Sequence, residues 1–213
     1  MAKIITQQQA AILSNLIYAI STEGDNKGNY IFDNSVVANS DKKDLTLNDY
    51  IYDEHGDFRK GIPDDIKQQI ATMPAQFSEV LNNFQLRETS TTIEHNGEVG
   101  VGGLDYYGIA INPINDKTSI AIVNKGTDSA GDVISDVQML IGNIADNMLA
   151  GVTFVDKIRD NLKPMTISTT GHSLGGSIAQ AQSAMLGEQL GESITFEAFG
   201  IQNIINPLKI DGH

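Results

Sequence analysis

Hydrophobic positions recur along this chain at two different spacings, and the change between them divides it. Thr6 is placed to cap a helix over about 7–21, where Leu13, Ile17 and Ile20 form one stripe and Ile12 and Leu16 widen it. Residues 21–65 then hold 11 of the 27 acidic side chains among frequent Gly, Asn and Asp, which predicts an irregular, solvated excursion with short strand-like pieces such as Tyr30-Ile31-Phe32. Pro63-Asp64-Asp65 opens a helix, with Pro in the first turn and carboxylates at the positive dipole end. Its pattern runs through Ile66 and Ile70 and resumes after Pro74 with Phe77, Val80, Leu81 and Phe84.

From about residue 87 the period shortens to two. Thr89 to Glu94 is rich in β-branched residues, and Asn96-Gly97 and Gly102-Gly103 mark turns. Leu104 to Asn112 and Thr118 to Asn124 read as a hairpin with Asn115-Asp116 at its tip. Ile120-Ala121-Ile122-Val123 is apolar on both faces, which places that strand in the middle of a sheet. Helical spacing returns over 132–149 and again over about 152–162. A strand from Met165 to Thr169, a helix from Gly175 to Leu190 and a strand from Ile194 to Ala198 complete the series. Strand–helix alternation predicts an α/β fold, a mostly parallel central sheet flanked by helices. Residues 1–213 read as one domain, with a helical, acidic, irregular part over 1–86 and a sheet-forming part over 87–213.

Composition narrows the chemistry. The 213 residues carry 14 Lys+Arg against 27 Asp+Glu, a net charge of −13, which disfavours nucleic acid and anionic lipid headgroups as partners. Zero Cys removes disulfides, thiolate metal sites and cysteine nucleophiles together. No apolar run approaches the roughly 18 residues of a membrane span, so stable membrane insertion is not expected. Gln7-Gln8-Gln9 interrupts Met1 to Ile20 where a cleaved leader needs an apolar stretch. Acidity without Cys suits a secreted or extracellular protein, a cytoplasmic one being the alternative. No cofactor motif is found. Asp25, Asn26, Asn29, Asp33, Asp41, Asp44, Asp53 and Asp57 offer oxygen ligands, but without the regular spacing of a calcium loop they read as a solvated surface, and no metal is predicted.

Gly171-His172-Ser173-Leu174-Gly175 fits G-x-S-x-G in the setting its chemistry requires, between an entering strand and a departing helix. The sharp turn strains the backbone at Ser173, so small residues are needed two positions either side, here Gly171 and Gly175. The helix that follows is rich in small residues, Ala179, Ala181, Ser183 and Ala184. The competing reading is a Gly-rich turn that packs or holds a phosphate, and a phosphate loop would need a Lys after its glycines.

These residues resemble the fungal-type (class three) lipase family of α/β-hydrolases. Ile120 to Thr127 (IAIVNKGT), Asp132 to Leu140 (DVISDVQML) and Thr169 to Gln180 (TTGHSLGGSIAQ) carry the resemblance, with Thr195 to Gly200 (TFEAFG) a weaker fourth block, over about residues 104–203. It implies an α/β-hydrolase-like fold, an acyl ester or lipid substrate, a transient lipid interface and Ser173 as catalytic nucleophile. It also implies that Thr127, in a Lys125-Gly126-Thr127 run where the family has Arg-Gly-Ser/Thr, supplies an oxyanion-hole donor. The chemistry agrees: acyl transfer develops charge on the carbonyl oxygen, which the N–H of Leu174 and a donor in the turn after an earlier central strand would stabilise. Thr127 could instead cap the helix after it. Asp136 matches an acidic residue of the family but reads more simply as a surface carboxylate or a partner for Lys125. The apolar side chains of 130–150 fit an acyl-chain contact, together with 201–205, or more simply a buried helix face.

The family's acid and base follow the nucleophile, beyond further strands. Only 40 residues follow Ser173 here. Of the four histidines, His55 and His95 read as solvated, and the resemblance makes His172 a packing or hydrogen-bonding residue. His213, with Asp211 beside it, alone has the required order, although two residues at a chain end are poorly preorganised. The sequence therefore reads as a C-terminally incomplete α/β-hydrolase, the amino-terminal part of a longer enzyme. A non-catalytic hydrolase-fold binding module or remnant is the alternative, and a thioesterase or peptidase is a second enzymatic one. Without a base, residual acceleration on the order of 10³–10⁴ over water is all that the elbow could supply. Oligomeric state is not legible in these residues.

Overall fold

A computed structural model describes residues 4–24, 27–33, 45–101, 106–126 and 137–198. Helix α1 (Gln7–Leu16) starts as expected at Thr6, whose hydroxyl accepts from Gln9 N–H while the Gln9 side chain accepts from Thr6 N–H. It ends five residues earlier than its stripe predicts. Tyr18 and Ala19 donate to Asn15 and Leu16 in tightening turns, and Ser21 then pairs with Asn29, so Ile20 bridges Tyr30 instead of extending the helix. Ile31–Asp33 is a short 3-10 turn, not a strand.

Helices α2 (Leu47–Ile51), α3 (Asp64–Thr72) and α4 (Pro74–Asn83) precede strand β1 (Phe84–Thr89). Phe84, read as the last helical position, is the first residue of that strand, and Phe84 and Leu86 are buried in it. Thr89 to Glu94 is mostly turn: the Thr89 hydroxyl shares hydrogen bonds with those of Thr91 and Thr92, and Ile93 N–H donates to Thr89 O. Local hydroxyl bonding of this kind competes with a strand ladder. Asn96 and Gly97, at φ 52° and 82°, form the expected tight turn between β2 (Glu94–His95) and β3 (Glu98–Val99). His95 is not solvated as expected; its ring lies 3.0 Å from Asn161 Oδ1 and 3.2 Å from Asp160 Oδ2.

The main sheet continues with β4 (Gly108–Pro113) and β5 (Ser119–Asn124), joined as the predicted hairpin. Next come α5 (Val137–Leu162), β6 (Thr166–His172), α6 (Leu174–Leu186) and β7 (Leu190–Phe196). The strand order is β1-β4-β5-β6-β7, with β5 in the middle and every one of its six residues buried, as its two-sided apolar run requires. β5 pairs in parallel with β6 and β6 with β7, whereas β4 runs antiparallel to both β1 and β5. Four of the five strands thus point the same way.

Alternation along the strands feeds two cores. Ile109, Ile111, Ala121 and Val123 face the layer built from α1 to α4, and Ala110, Ile120, Ile122 and Ile167 face α5 and α6. The result is an α/β arrangement, a mostly parallel sheet flanked by helices. The helical run read as two segments around residue 150 is continuous through Gly151, where a Cβ would overlap Ile178 Cγ2. Glycine there serves the close approach of α5 to α6, not a helix stop. β7 starts at Leu190 rather than Ile194, because α6 stops at Leu186 and Gly187, at φ 52°, redirects the chain.

Candidate active site

Strand β6 enters, and helix α6 leaves, at Ser173, whose backbone lies at φ 55°, ψ −123°. An L residue avoids this region, at a cost of about 1–3 kcal/mol. Packing holds it there. A Cβ on Gly171 would overlap the Gly175 carbonyl carbon and oxygen and reach Asn124 O at 2.8 Å. A Cβ on Gly175 would overlap Asn124 O and lie 2.8 Å from Asn124 C and Lys125 C. Backbone therefore meets backbone on both sides of the serine, and only glycine fits either position.

Parallel pairing puts the elbow at the carboxyl edge of the sheet. Gly171 is in register with Asn124 of β5 on one side, and His172 with Phe196 of β7 on the other. Ser173 N–H donates to Phe196 O at 2.9 Å, and Ser173 O accepts the first helical bond of α6, from Ser177 N–H at 3.2 Å. The amides of Leu174, Gly175 and Gly176 precede that bond, in the turn where a helix leaves N–H groups free of internal acceptors. Leu174, read as an oxyanion donor, is the first residue of α6 and its side chain is buried. The Ser173 side chain is half-buried, and among the described residues none is hydrogen-bonded to its hydroxyl. Thr127, the other expected donor, lies outside the described residues, as do Asp136, Asp211, His213 and residues 201–205.

Residues just before Thr127 are well placed. Lys125 is buried, with its ammonium 5.4 Å from the ring centres of both Tyr18 and Tyr30. Tyr30 stacks on Tyr107 at 3.6 Å, and Tyr107 Oη donates to Asp33, which also accepts from Thr91. Burial first, then the Asp33 carboxylate, pushes the Tyr107 phenol well above its ordinary range. His172 Nε2 lies 3.2 Å from Glu197 Oε2, linking the residue before the nucleophile to the end of β7. In the segment read as an acyl-chain contact, Met148 is buried and Leu149 exposed.

Asn124, Gln182 and Tyr106 were not singled out by their spacing, yet they form the polar floor under the elbow. Tyr106 Oη donates to Asn124 Oδ1 at 2.8 Å, and Gln182 Nε2 donates to Gly151 O at 2.8 Å. Burial raises the Tyr106 phenol strongly, against the opposing effect of its bond with Gln182. The available signal was an amide ending an otherwise apolar strand. Among the described residues no group of three or more His, Cys, Asp or Glu is arranged to hold a metal ion. Of the acidic residues weighed as calcium ligands, Asp33 is held by Tyr107 and Thr91, and Asp53 by the His55 and Asp57 amides. Among the described residues no helix is long and apolar enough to cross a membrane.

No protein-family model and no curated protein matches the chain by sequence. Solved structures do match. The lipase from Rhizopus microsporus var. chinensis aligns at 16% identity and a TM-score of 0.40, over 61% of this chain and 52% of that one. Lipase II from Rhizopus niveus aligns at 17% and 0.39, over 59% and 55%. The LIP2 lipase of Yarrowia lipolytica aligns at 16% and 0.46, over 91% and 60%. The chain spans about half the length of the two Rhizopus lipases. At these identities and scores the likeness assigns neither residues nor substrate.

Proposed function

We propose that the chain is a serine carboxylic ester hydrolase of lipase or phospholipase type, acting through Ser173. The observation that supports it most is Ser173 held at φ 55° between a central parallel strand and a helix, with glycines on both sides that no side chain could replace. In the proposed reaction Ser173 Oγ attacks the ester carbonyl carbon as its proton passes to the base. The C–O bond to the alcohol breaks as that proton is given to the leaving oxygen, and water then releases the acyl group as the acid and returns the proton to Ser173. The N–H of Leu174 and a donor at Thr127 stabilise the oxyanion, each worth on the order of 3 kcal/mol in the transition state. Asp211 and His213 have the chain order of an acid and base and are the pair to test first. The partner is an acyl ester met at a transient lipid interface, outside the cell.

A fluorophosphonate probe tests this reading. Labelling that disappears in Ser173→Ala is expected; absence of labelling in the unaltered protein would remove the nucleophile assignment. Loss of both short-chain ester turnover and fluorophosphonate labelling in His213→Ala, with the fold kept, would identify the base.

A second reading is a non-catalytic module on the same fold. It is favoured by one observation: among the described residues no imidazole is hydrogen-bonded to Ser173, and His172 is paired with Glu197 instead. Neither labelling nor turnover would support that reading.

A further inference from the structure

We infer that Tyr18 is a positioning residue for the proposed esterolytic site, holding the Gly126 amide and with it the turn after β5 against the elbow. The inference rests on the reading of Ser173 as nucleophile.

Four contacts carry it. Tyr18 Oη accepts a hydrogen bond from Gly126 N–H at 3.0 Å, across 108 residues of chain. A Cβ on Gly126 would stand 2.5 Å from that phenol oxygen, 2.7 Å from His172 O and 3.5 Å from Gly175 N. The Gly126 backbone is thus wedged between the phenol and the two sides of the serine turn. The Tyr18 ring is itself held by the Lys125 ammonium at 5.4 Å from its centre. Tyr18 lies in the turn that closes α1, and Ser14 of that helix meets Thr170 of β6 at 3.4 Å, Oγ to Oγ1. The amino-terminal layer is in this way fastened to the strand that delivers the nucleophile and to the loop beside it.

Gly126 has passed the end of β5, so no sheet partner fixes its amide; the phenol does. Without it the peptide plane between Lys125 and Gly126 can rotate, and every atom after it moves relative to Ser173. Donors that stabilise an oxyanion act through fixed placement, so small displacements lower the rate more than they lower binding. Tyr18 touches no reacting atom in this account; it acts through Gly126.

The test is Tyr18→Phe, which keeps the ring and its contact with Lys125 and removes the hydroxyl that accepts from Gly126 N–H. Two readouts are followed: amide hydrogen exchange at Gly126 by NMR, and the phosphonylation of Ser173 by a fluorophosphonate, separated into its limiting rate and its half-saturation concentration. Expected are faster exchange at Gly126 with the amides of β5 unaffected, a limiting rate lower by about tenfold, and an unchanged half-saturation concentration. Continued protection of Gly126 would overturn the inference, because Tyr18 would not be what holds it. Freed exchange with an unaltered limiting rate would overturn it too, leaving a hydrogen bond that positions nothing. If the unaltered protein is not labelled at Ser173, the hydrolase reading falls, and the rate part of this inference with it, while the exchange readout still decides the contact.

Discussion

The carboxamides of Asn124 and Gln182 meet as a reciprocal pair, Asn124 Nδ2 donating to Gln182 Oε1 at 2.8 Å and Gln182 Nε2 donating to Asn124 Oδ1 at 3.0 Å. Both residues are fully buried, and their remaining capacity goes to Tyr106 Oη, Thr170 O and Gly151 O. One small network therefore joins β5, β6, α5 and α6 through Asn124, which is in register with Gly171 of the serine turn. A satisfied buried network specifies one arrangement, and a half-satisfied one is costly. Gln182→Leu is expected to destabilise by about 2–3 kcal/mol, because it strands the Asn124 amide. Adding Asn124→Leu should cost less than the sum of the single changes, by about 1–2 kcal/mol, in urea unfolding.

Two glycines of this chain separate steric from conformational need. At Gly175 an added methyl would overlap Asn124 O and press on Asn124 C and Lys125 C at 2.8 Å, all of them backbone that cannot swing aside. Gly175→Ala is expected to cost about 3 kcal/mol in unfolding free energy and to abolish labelling of Ser173. At Gly187 nothing stands within 4 Å, and only φ 52° opposes a side chain. Gly187→Ala should cost about 1 kcal/mol and leave labelling intact.

The elbow and the middle of the sheet were legible because their constraints are local. Gly171, Ser173 and Gly175 are dictated by one turn, and a run apolar on both faces, Ile120 to Val123, has few places to go in a sheet. Gly151 misled because a glycine in a helical pattern signals a stop equally with a close crossing, and only the position of Ile178 decides. Phe84 misled because both α4 and β1 bury a large apolar residue at that point. The Asn124–Gln182 and Tyr18–Gly126 contacts left no trace at any period, since the topology brings together residues 58 and 108 positions apart.

Alkaline unfolding should report the buried phenols. Burial first, and then the Asp49 and Asp33 charges, raise Tyr50 to about 12, and burial pushes Tyr106 and Tyr107 well above the ordinary phenol range. A phenol raised on folding keeps its proton when the unfolded chain has lost it, so the stability it contributes is complete below the ordinary value of 10.0 and is lost as pH rises through the folded value. Melting temperature is expected to fall from about pH 10 upward. Of the six tyrosines, Tyr50, Tyr106 and Tyr107 should show tyrosinate absorbance only as the protein unfolds. Smooth ionisation of all six in the folded state would contradict their burial.

Ser173 carries its strain for a reason that stability measurements can isolate. At φ 55°, ψ −123° a side chain is disfavoured whatever surrounds it, and glycine adopts that backbone freely. Ser173→Gly is expected to raise unfolding free energy by about 1 kcal/mol, net of the entropy that glycine adds to the unfolded chain. Ser173→Ala keeps the Cβ and the strain, so it should bring no such gain. Both variants lose the hydroxyl and should lose fluorophosphonate labelling together. A serine kept in place of a more stable glycine is a residue retained for what its oxygen does. Equal stability of the glycine and alanine variants would show instead that the turn holds no strain to relieve.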